Sequence, residues 1–310
     1  MKIVFLDRKT IGEDIDLSGF ERFGEVVIYD YSAPDEVPAR VEDADIIVLN
    51  KVPVNEATIG TAKQLKLVCV TATGTNNLDK DYLASRGIEW RNVAGYSTEA
   101  VAQHTFSLAF YLLEHLSYYD EYVKSEKYAN DRMFTHFEKH FHEISGKTWG
   151  IIGLGAIGSR VAEIAKLFGA NLIYYSTSGR NHSDIYKEVD FDTLLSTSDV
   201  ISIHAPLDEN TMHLIDKAAL SKMKKNAILI NVGRGPIIVE KDLADALECG
   251  QIAAAGLDVL DVEPMSPENP LVRIKDSTKL LITPHIAWAA VEARQRLMKI
   301  IEGQIEDFLK

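Results

Sequence analysis

The sequence predicts an α/β protein built from two doubly wound parallel-sheet units separated by a cleft. Short, nearly continuous apolar runs alternate with helix-period segments through residues 1–95, and the same alternation restarts at Thr148. Runs that are apolar on both faces belong to parallel sheets covered by helices. The 310 residues, 46% of them hydrophobic, are enough for two such cores.

The first set of strands is expected at Ile3–Asp7, Val26–Asp30, Asp45–Asn50, Leu65–Ala72 and Ile88–Val93. After Gly95-Tyr96 one long helix is expected from about Ser97 to Lys124, with Ser97 or Thr98 as its cap and Glu99 at its positive end. The stretch from Tyr118 to Ile144 is rich in tyrosine and phenylalanine and reads as an arm that buries aromatics against a second copy of the chain. His136, Glu138, His140, His142 and Glu143 lie in it without a thiol or a fixed ligand spacing, so no metal is expected.

The second set of strands is expected at Gly150–Gly153, Leu172–Ser176, Asp199–Ala205, Ala227–Val232, Ala253–Val259 and Leu280–His285. An amphipathic helix over Ala290–Leu309 follows.

Composition narrows the function classes. A formal charge of −13 argues against nucleic acid or an anionic membrane surface as partner. No apolar run approaches the length of a membrane span, and Met1–Asp7 starts as a strand rather than a charged leader. Cys69 and Cys249 have no metal-ligand spacing and read as reduced thiols. A cytoplasmic location is expected.

The strongest motif is Gly153-Leu154-Gly155-Ala156-Ile157-Gly158, which follows the run Lys147–Ile152 and opens a helix carrying Val161, Ala162, Ile164, Ala165 and Leu167. Strand, glycine turn and helix is the context that this motif needs to hold a dinucleotide. Its first glycine allows the turn, its second admits a pyrophosphate and its third lets helix pack on strand. The acid that would bond the ribose hydroxyls of NAD is missing. The next strand ends at Ser176, with Thr177 and Arg180 after it. Hydroxyls and a guanidinium suit a 2′-phosphate, so use or tolerance of NADP is expected alongside NAD.

Three ionisable residues stand at later strand ends. Arg234 lies between glycines in Asn231-Val232-Gly233-Arg234-Gly235, placed to grip a carboxylate bidentately. Asp258 lies inside an apolar run ending in Leu260-Asp261-Val262-Glu263-Pro264, and a charge there needs a partner. Thr283-Pro284-His285 closes the last strand. His204, which closes Asp199–Ala205, is a rival base.

In these motifs, with His204-Ala205-Pro206-Leu207 and Gly256-Leu257-Asp258-Val259, the chain resembles the D-isomer-specific 2-hydroxyacid dehydrogenases over essentially its whole length. Asn50-Lys51, Ala72-Thr73-Gly74-Thr75-Asn76, Gly95-Tyr96-Ser97-Thr98 and Ala287-Trp288-Ala289 liken it most to the glycerate dehydrogenase (hydroxypyruvate reductase) branch.

The resemblance implies an oxidoreductase of Rossmann/flavodoxin-like architecture. It would have a substrate domain at 1–96 plus 288–310 and a dinucleotide domain at 97–287, and the aromatic arm with the helix after Ser97 points to a homodimer. It implies His285 as general acid/base, Glu263 as its partner and Arg234 as substrate clamp. The physics agrees: imidazole exchanges protons near neutral pH, and a carboxylate beside it favours the protonated form that ketone reduction needs.

The resemblance further implies that the backbone at Thr73 and Gly74 holds the substrate carboxylate, with Lys51 and Trp288 shaping its pocket. Asp258 and Val232 would orient the nicotinamide, and His204, Ala205, Pro206 and Thr211 would line the adenosine side. D-lactate or phosphoglycerate dehydrogenase activity, or a dinucleotide-sensing corepressor-like scaffold, are the alternatives left open.

Overall fold

The computed structural model describes residues 1–310. It divides the chain into two compact units, Met1–Ser97 with Trp288–Lys310, and Thr98–Ala287.

The first unit is a parallel five-stranded sheet. Its strands are β1 (Lys2–Phe5), β2 (Glu25–Ile28), β3 (Ile46–Leu49), β4 (Leu67–Val70) and β5 (Glu89–Arg91), in the order β2-β1-β3-β4-β5. β3 and β4 are buried at every position, as the continuous apolar runs require. The core gathers Val4, Leu6, Ile47, Leu49, Val68, Val70 and Leu83. The helix Val291–Phe308 belongs to this unit and buries Leu297, Met298, Ile301 and Ile305. Arg294 on that helix ties it to Asp14 at 2.9 Å and to the Ile11 carbonyl at 2.9 Å.

The second unit carries a parallel seven-stranded sheet. Its strands are β6 (Thr148–Ile152), β7 (Asn171–Tyr175), β8 (Lys187–Glu188), β9 (Val200–Ile203), β10 (Ile228–Asn231), β11 (Ala254–Leu257) and β12 (Leu280–Ile282). The order is β12-β11-β10-β9-β6-β7-β8, so the chain reverses direction across the sheet beside β6. In such sheets ligands bind beyond the carboxyl ends of the strands at that reversal. Apolar clusters cover both faces, one around Leu195, Ile203, Leu229 and Leu243, the other around Phe106, Trp149, Val161 and Ile230.

One expectation is corrected and one strand is added. The helix expected over Ser97–Lys124 is two helices, Thr98–Leu113 and Leu116–Lys124, broken where His115 takes a left-handed φ of 51°. The first buries Val101, Ala102, Phe106, Leu108 and Leu112, whereas no residue of the second is fully buried. β8 was not foreseen, because two exposed charged residues at a sheet edge carry no periodic signal.

In the aromatic stretch, Tyr122 and His136 stack with ring centroids 3.8 Å apart, and the Tyr118 hydroxyl lies 2.7 Å from His136 Nε2. Phe134 and Phe137 stay largely exposed. No helix is long and apolar enough to cross a membrane.

Candidate active site

Strand register places the candidate residues of the second unit on one rim. Tyr175, Ile152, Ile203, Asn231, Leu257 and Ile282 are successive Cα partners across β7, β6, β9, β10, β11 and β12. The residue after each is therefore level with its neighbours. Those residues are Ser176, Gly153, His204, Val232, Asp258 and Thr283.

At β6, Gly153 has φ +90°, and a side chain there would meet the Ala205 backbone at 2.7 Å. A side chain at Gly158 would run into the Gly153 carbonyl at 2.2 Å, so the helix Ala156–Leu167 packs on its own strand. Above Gly155 there is open space, and this N-cap residue supplies no side-chain acceptor to the first-turn amides. Those amides can serve an anion. Ser176 Oγ and His204 Nδ1 are buried without hydrogen-bond partners. An open glycine turn with two unspent polar atoms on the same rim fits a dinucleotide.

His204 is not placed as a free base. Its Nε2 lies 2.9 Å from Ser202 Oγ, which also accepts the Trp149 indole N–H at 2.9 Å. Desolvation pulls its pKa down to about 3, so it is neutral at physiological pH. Thr211 is fully buried, donating to the Pro206 carbonyl at 2.7 Å and accepting from the Asp208 amide at 2.8 Å. Its hydroxyl shapes the loop after β9.

At β10, buried Asn231 staples the turn that follows. Its Oδ1 accepts the Gly233 N–H at 3.0 Å and its Nδ2 donates to the Arg234 carbonyl at 2.9 Å. Arg234 is half-buried, with Nη1 on the Gly233 carbonyl at 2.7 Å. The remaining guanidinium N–H groups can face an anion.

The ends of β11 and β12 are joined more tightly. His285 Nδ1 and Glu263 Oε2 are 2.7 Å apart, and Glu263 Oε1 accepts the Leu260 amide at 2.9 Å. The carboxylate is thus oriented before it meets the ring, and its contact with Nδ1 fixes which edge of the imidazole faces Glu263. His285 itself sits at a left-handed φ of 56°, a costly backbone for a non-glycine residue.

Asp258, 1% exposed, holds that backbone in place. Its Oδ1 accepts from Thr283 Oγ1 at 2.6 Å and the Ile286 amide at 2.9 Å, and its Oδ2 accepts the Ala287 amide at 2.8 Å. Its carbonyl takes the His285 N–H at 2.8 Å. These partners answer the burial question that the sequence posed.

In the first unit, a second buried aspartate does similar work. Both oxygens of Asp7 lie 2.9 Å from the Asn50 amide, and Oδ2 is 2.7 Å from the Lys51 amide. Asn77 Nδ2 donates to the carbonyls of Asn50 and Val52 at 3.3 and 2.9 Å. The Thr73 hydroxyl is spent on the Val93 carbonyl at 2.9 Å, so any role of Thr73 toward a substrate falls to its backbone. Tyr96 and Trp288 meet edge to face at 6.3 Å.

Residues 106–287 match the family model described as D-isomer specific 2-hydroxyacid dehydrogenase, NAD binding domain. The chain belongs to this family.

Over its full length it is 37% identical to the hydroxypyruvate reductase of Blautia hydrogenotrophica, covering 97% of that protein. It is 35% identical to the glycerate dehydrogenase of Methylorubrum extorquens, with 99% of this chain and 96% of that one aligned. Among solved structures, an acyclic imino acid reductase in complex with NADPH and D-arginine superposes with a TM-score of 0.85. It is 27% identical, and the match covers 100% of this chain and 97% of that one. This 2-hydroxyacid dehydrogenase is an NAD(P)-dependent oxidoreductase.

Sequence reasoning missed three of the residues that do the holding: Asp7, His104 and Asn231. Only Asn231 carried a signal, as a polar residue closing an apolar strand beside glycines.

Proposed function

We propose that this dehydrogenase reduces hydroxypyruvate or glyoxylate to the D-2-hydroxy acid, with His285, Glu263 and Arg234 as its catalytic residues. The observation that carries the reading is the 2.7 Å contact of His285 with a carboxylate that is itself oriented by a backbone amide. A reduced nicotinamide supplies the hydride that the keto carbon accepts.

The chain's own residues do the rest. His285 Nε2 delivers the proton that the carbonyl oxygen gains, and Glu263 stabilises the imidazolium before transfer. Arg234 grips the substrate carboxylate and stabilises the charge growing on the oxygen. Lys51, the backbone at Thr73 and Gly74, and Trp288 complete the substrate side. Asp258 and Val232 serve the nicotinamide end, and the glycine turn receives the pyrophosphate. His204, Ala205, Pro206 and Thr211 border the adenosine.

NADP is accepted alongside NAD in this proposal. Ser176 Oγ is buried and unspent, and Thr177 and Arg180 follow it on the same loop. Glu188, on the edge strand beside β7, is engaged by His182 Nδ1 at 2.9 Å and the Tyr174 hydroxyl at 3.0 Å. The protein works in the cytoplasm as a homodimer, joined through the helix after Ser97 and the aromatic arm. A monomer at micromolar concentration would remove the dimer.

The deciding experiment measures initial rates of NADH and NADPH oxidation with hydroxypyruvate, glyoxylate, pyruvate and 2-ketoglutarate. Hydroxypyruvate or glyoxylate leads if the reading is right. Cofactor binding without turnover on any keto acid overturns it. If NADPH binds far more weakly than NADH, and Arg180→Ala changes neither, the NADP proposal fails.

A further inference from the structure

We infer that His104 is a positioning residue for this reaction, acting on His285 through Thr283 and Asp258. The inference rests on the reading of His285 as the acid/base group. His104 lies on the helix Thr98–Leu113, between buried neighbours Val101, Ala102 and Thr105 that anchor the helix. Its Nε2 lies 2.9 Å from Thr283 Oγ1 and 3.5 Å from Asp258 Oδ1.

The direction of each bond follows from the chemistry. An ionised carboxylate only accepts, so the Thr283 hydroxyl must donate its proton to Asp258 Oδ1 across 2.6 Å. That leaves Thr283 Oγ1 as an acceptor toward His104, and His104 Nε2 must carry a hydrogen. The chain of donation therefore runs from the helix to Thr283 and on to Asp258.

Asp258 then accepts the amides of Ile286 and Ala287, while its own carbonyl takes the His285 N–H. The catalytic imidazole is thus held between a hydroxyl two residues before it and two amides just after it. All three meet one carboxylate. His104 supplies the outermost donor, and it fixes the rotamer of Thr283. Without it, the hydroxyl is free to rotate off Asp258 and the carboxylate loses one of its constraints. The consequence falls on the placement of His285 Nε2, to which the chemical step is steeply sensitive. Ground-state binding is left alone.

The test compares His104→Leu, His104→Gln, Thr283→Val and the double variant His104→Leu/Thr283→Val. Each is assayed for kcat and KM with hydroxypyruvate and NADH, alongside melting temperature and His285→Ala as reference. His104→Leu and Thr283→Val should each lower kcat about tenfold with both KM values within about twofold. The double variant should be no worse than either single one, because both cut the same relay. His104→Gln places an amide donor near the same point and should restore at least a third of the lost rate.

Unchanged kcat in His104→Leu, additive losses, or a loss that tracks melting temperature without rescue by glutamine would each overturn the inference. Turnover surviving in His285→Ala would instead overturn the parent reading. Abolished turnover in His285→Ala with full rate in His104→Leu would sink only the relay.

Discussion

The two units solve the same problem with the same residue type, and they differ in what they add to it. In each, a buried aspartate stands just beyond a strand and collects the amides of the loop leaving the neighbouring strand. Asp7 follows β1 and holds Asn50 and Lys51 after β3. Asp258 follows β11 and holds Ile286 and Ala287 after β12. Around Asp7 the donors are backbone amides, and burial pushes its carboxyl above the usual range while those amides oppose the rise. Around Asp258 a hydroxyl and an imidazole join in, and the loop it holds carries His285 and reaches Glu263. A bare amide clamp is enough to set a loop's path. A side-chain relay is added where a ring must be aimed.

The largest effect expected from this contrast belongs to the residue that is aimed. His285→Ala should lower kcat about 10²- to 10⁴-fold while retaining cofactor affinity, read by steady-state rates and by nicotinamide fluorescence on binding. A loss of less than tenfold would mean that the elaborate clamp serves something other than proton transfer.

Next comes the direct comparison of the clamps. Asp7→Ala and Asp258→Ala each strand at least two amides, and each should cost about 2–4 kcal/mol of stability in its own unit. Their kinetic signatures should separate. Asp7→Ala should raise the keto-acid KM, because it disturbs the loop of Lys51, whereas Asp258→Ala should chiefly lower kcat. Identical signatures would erase the distinction between a path-setting and an aiming clamp.

A smaller effect tests the carboxylate beside the ring. Glu263→Gln removes the carboxylate that meets His285 Nδ1 at 2.7 Å, so kcat for keto-acid reduction should fall about tenfold with little change in KM. The Leu260 amide can still bond the amide oxygen, so stability should hardly change. An unchanged kcat would take Glu263 out of the mechanism.

The fold and much of the rim were legible because they rest on signals that span several residues. Continuous apolar runs gave the core strands of both sheets, and strand–glycine–helix context located the turn at Gly153. The clamps were less legible because they pair residues distant in sequence. Asp7 reads as a strand end, and only the adjacency of β1 and β3 brings it to Asn50. His104 reads as one polar residue on an apolar helix, and nothing local links it to Thr283, 179 positions on. The break at His115 was hidden because both helices around it have acceptable composition, and only burial distinguishes them. Asp258 was half-legible: its burial was foreseen from the apolar run, its partners were not.

The smallest expected effect concerns a half-buried ring that stays neutral. His204 shares the rim with Asp258, but its environment offers a hydroxyl and no carboxylate, and desolvation holds its pKa at about 3. In the unfolded chain the same ring titrates near the ordinary histidine value of 6.5. Between those values the unfolded state binds a proton that the native state refuses, so stability rises with pH and is lost as pH falls. From pH 7.5 to 5.5 this one group should remove about 1.4 kcal/mol from the unit containing it. His204→Gln should lower stability at both pH values but abolish that increment. Trp149 is the single tryptophan of this unit and lies one hydroxyl away from the ring, so urea unfolding followed by fluorescence in a Trp90→Phe/Trp288→Phe background isolates the effect. An equal pH dependence in parent and variant would mean that the ring is solvated enough to be protonated in place. In that case the rim would hold two ionised groups where the structure gives it one charge and one neutral acceptor.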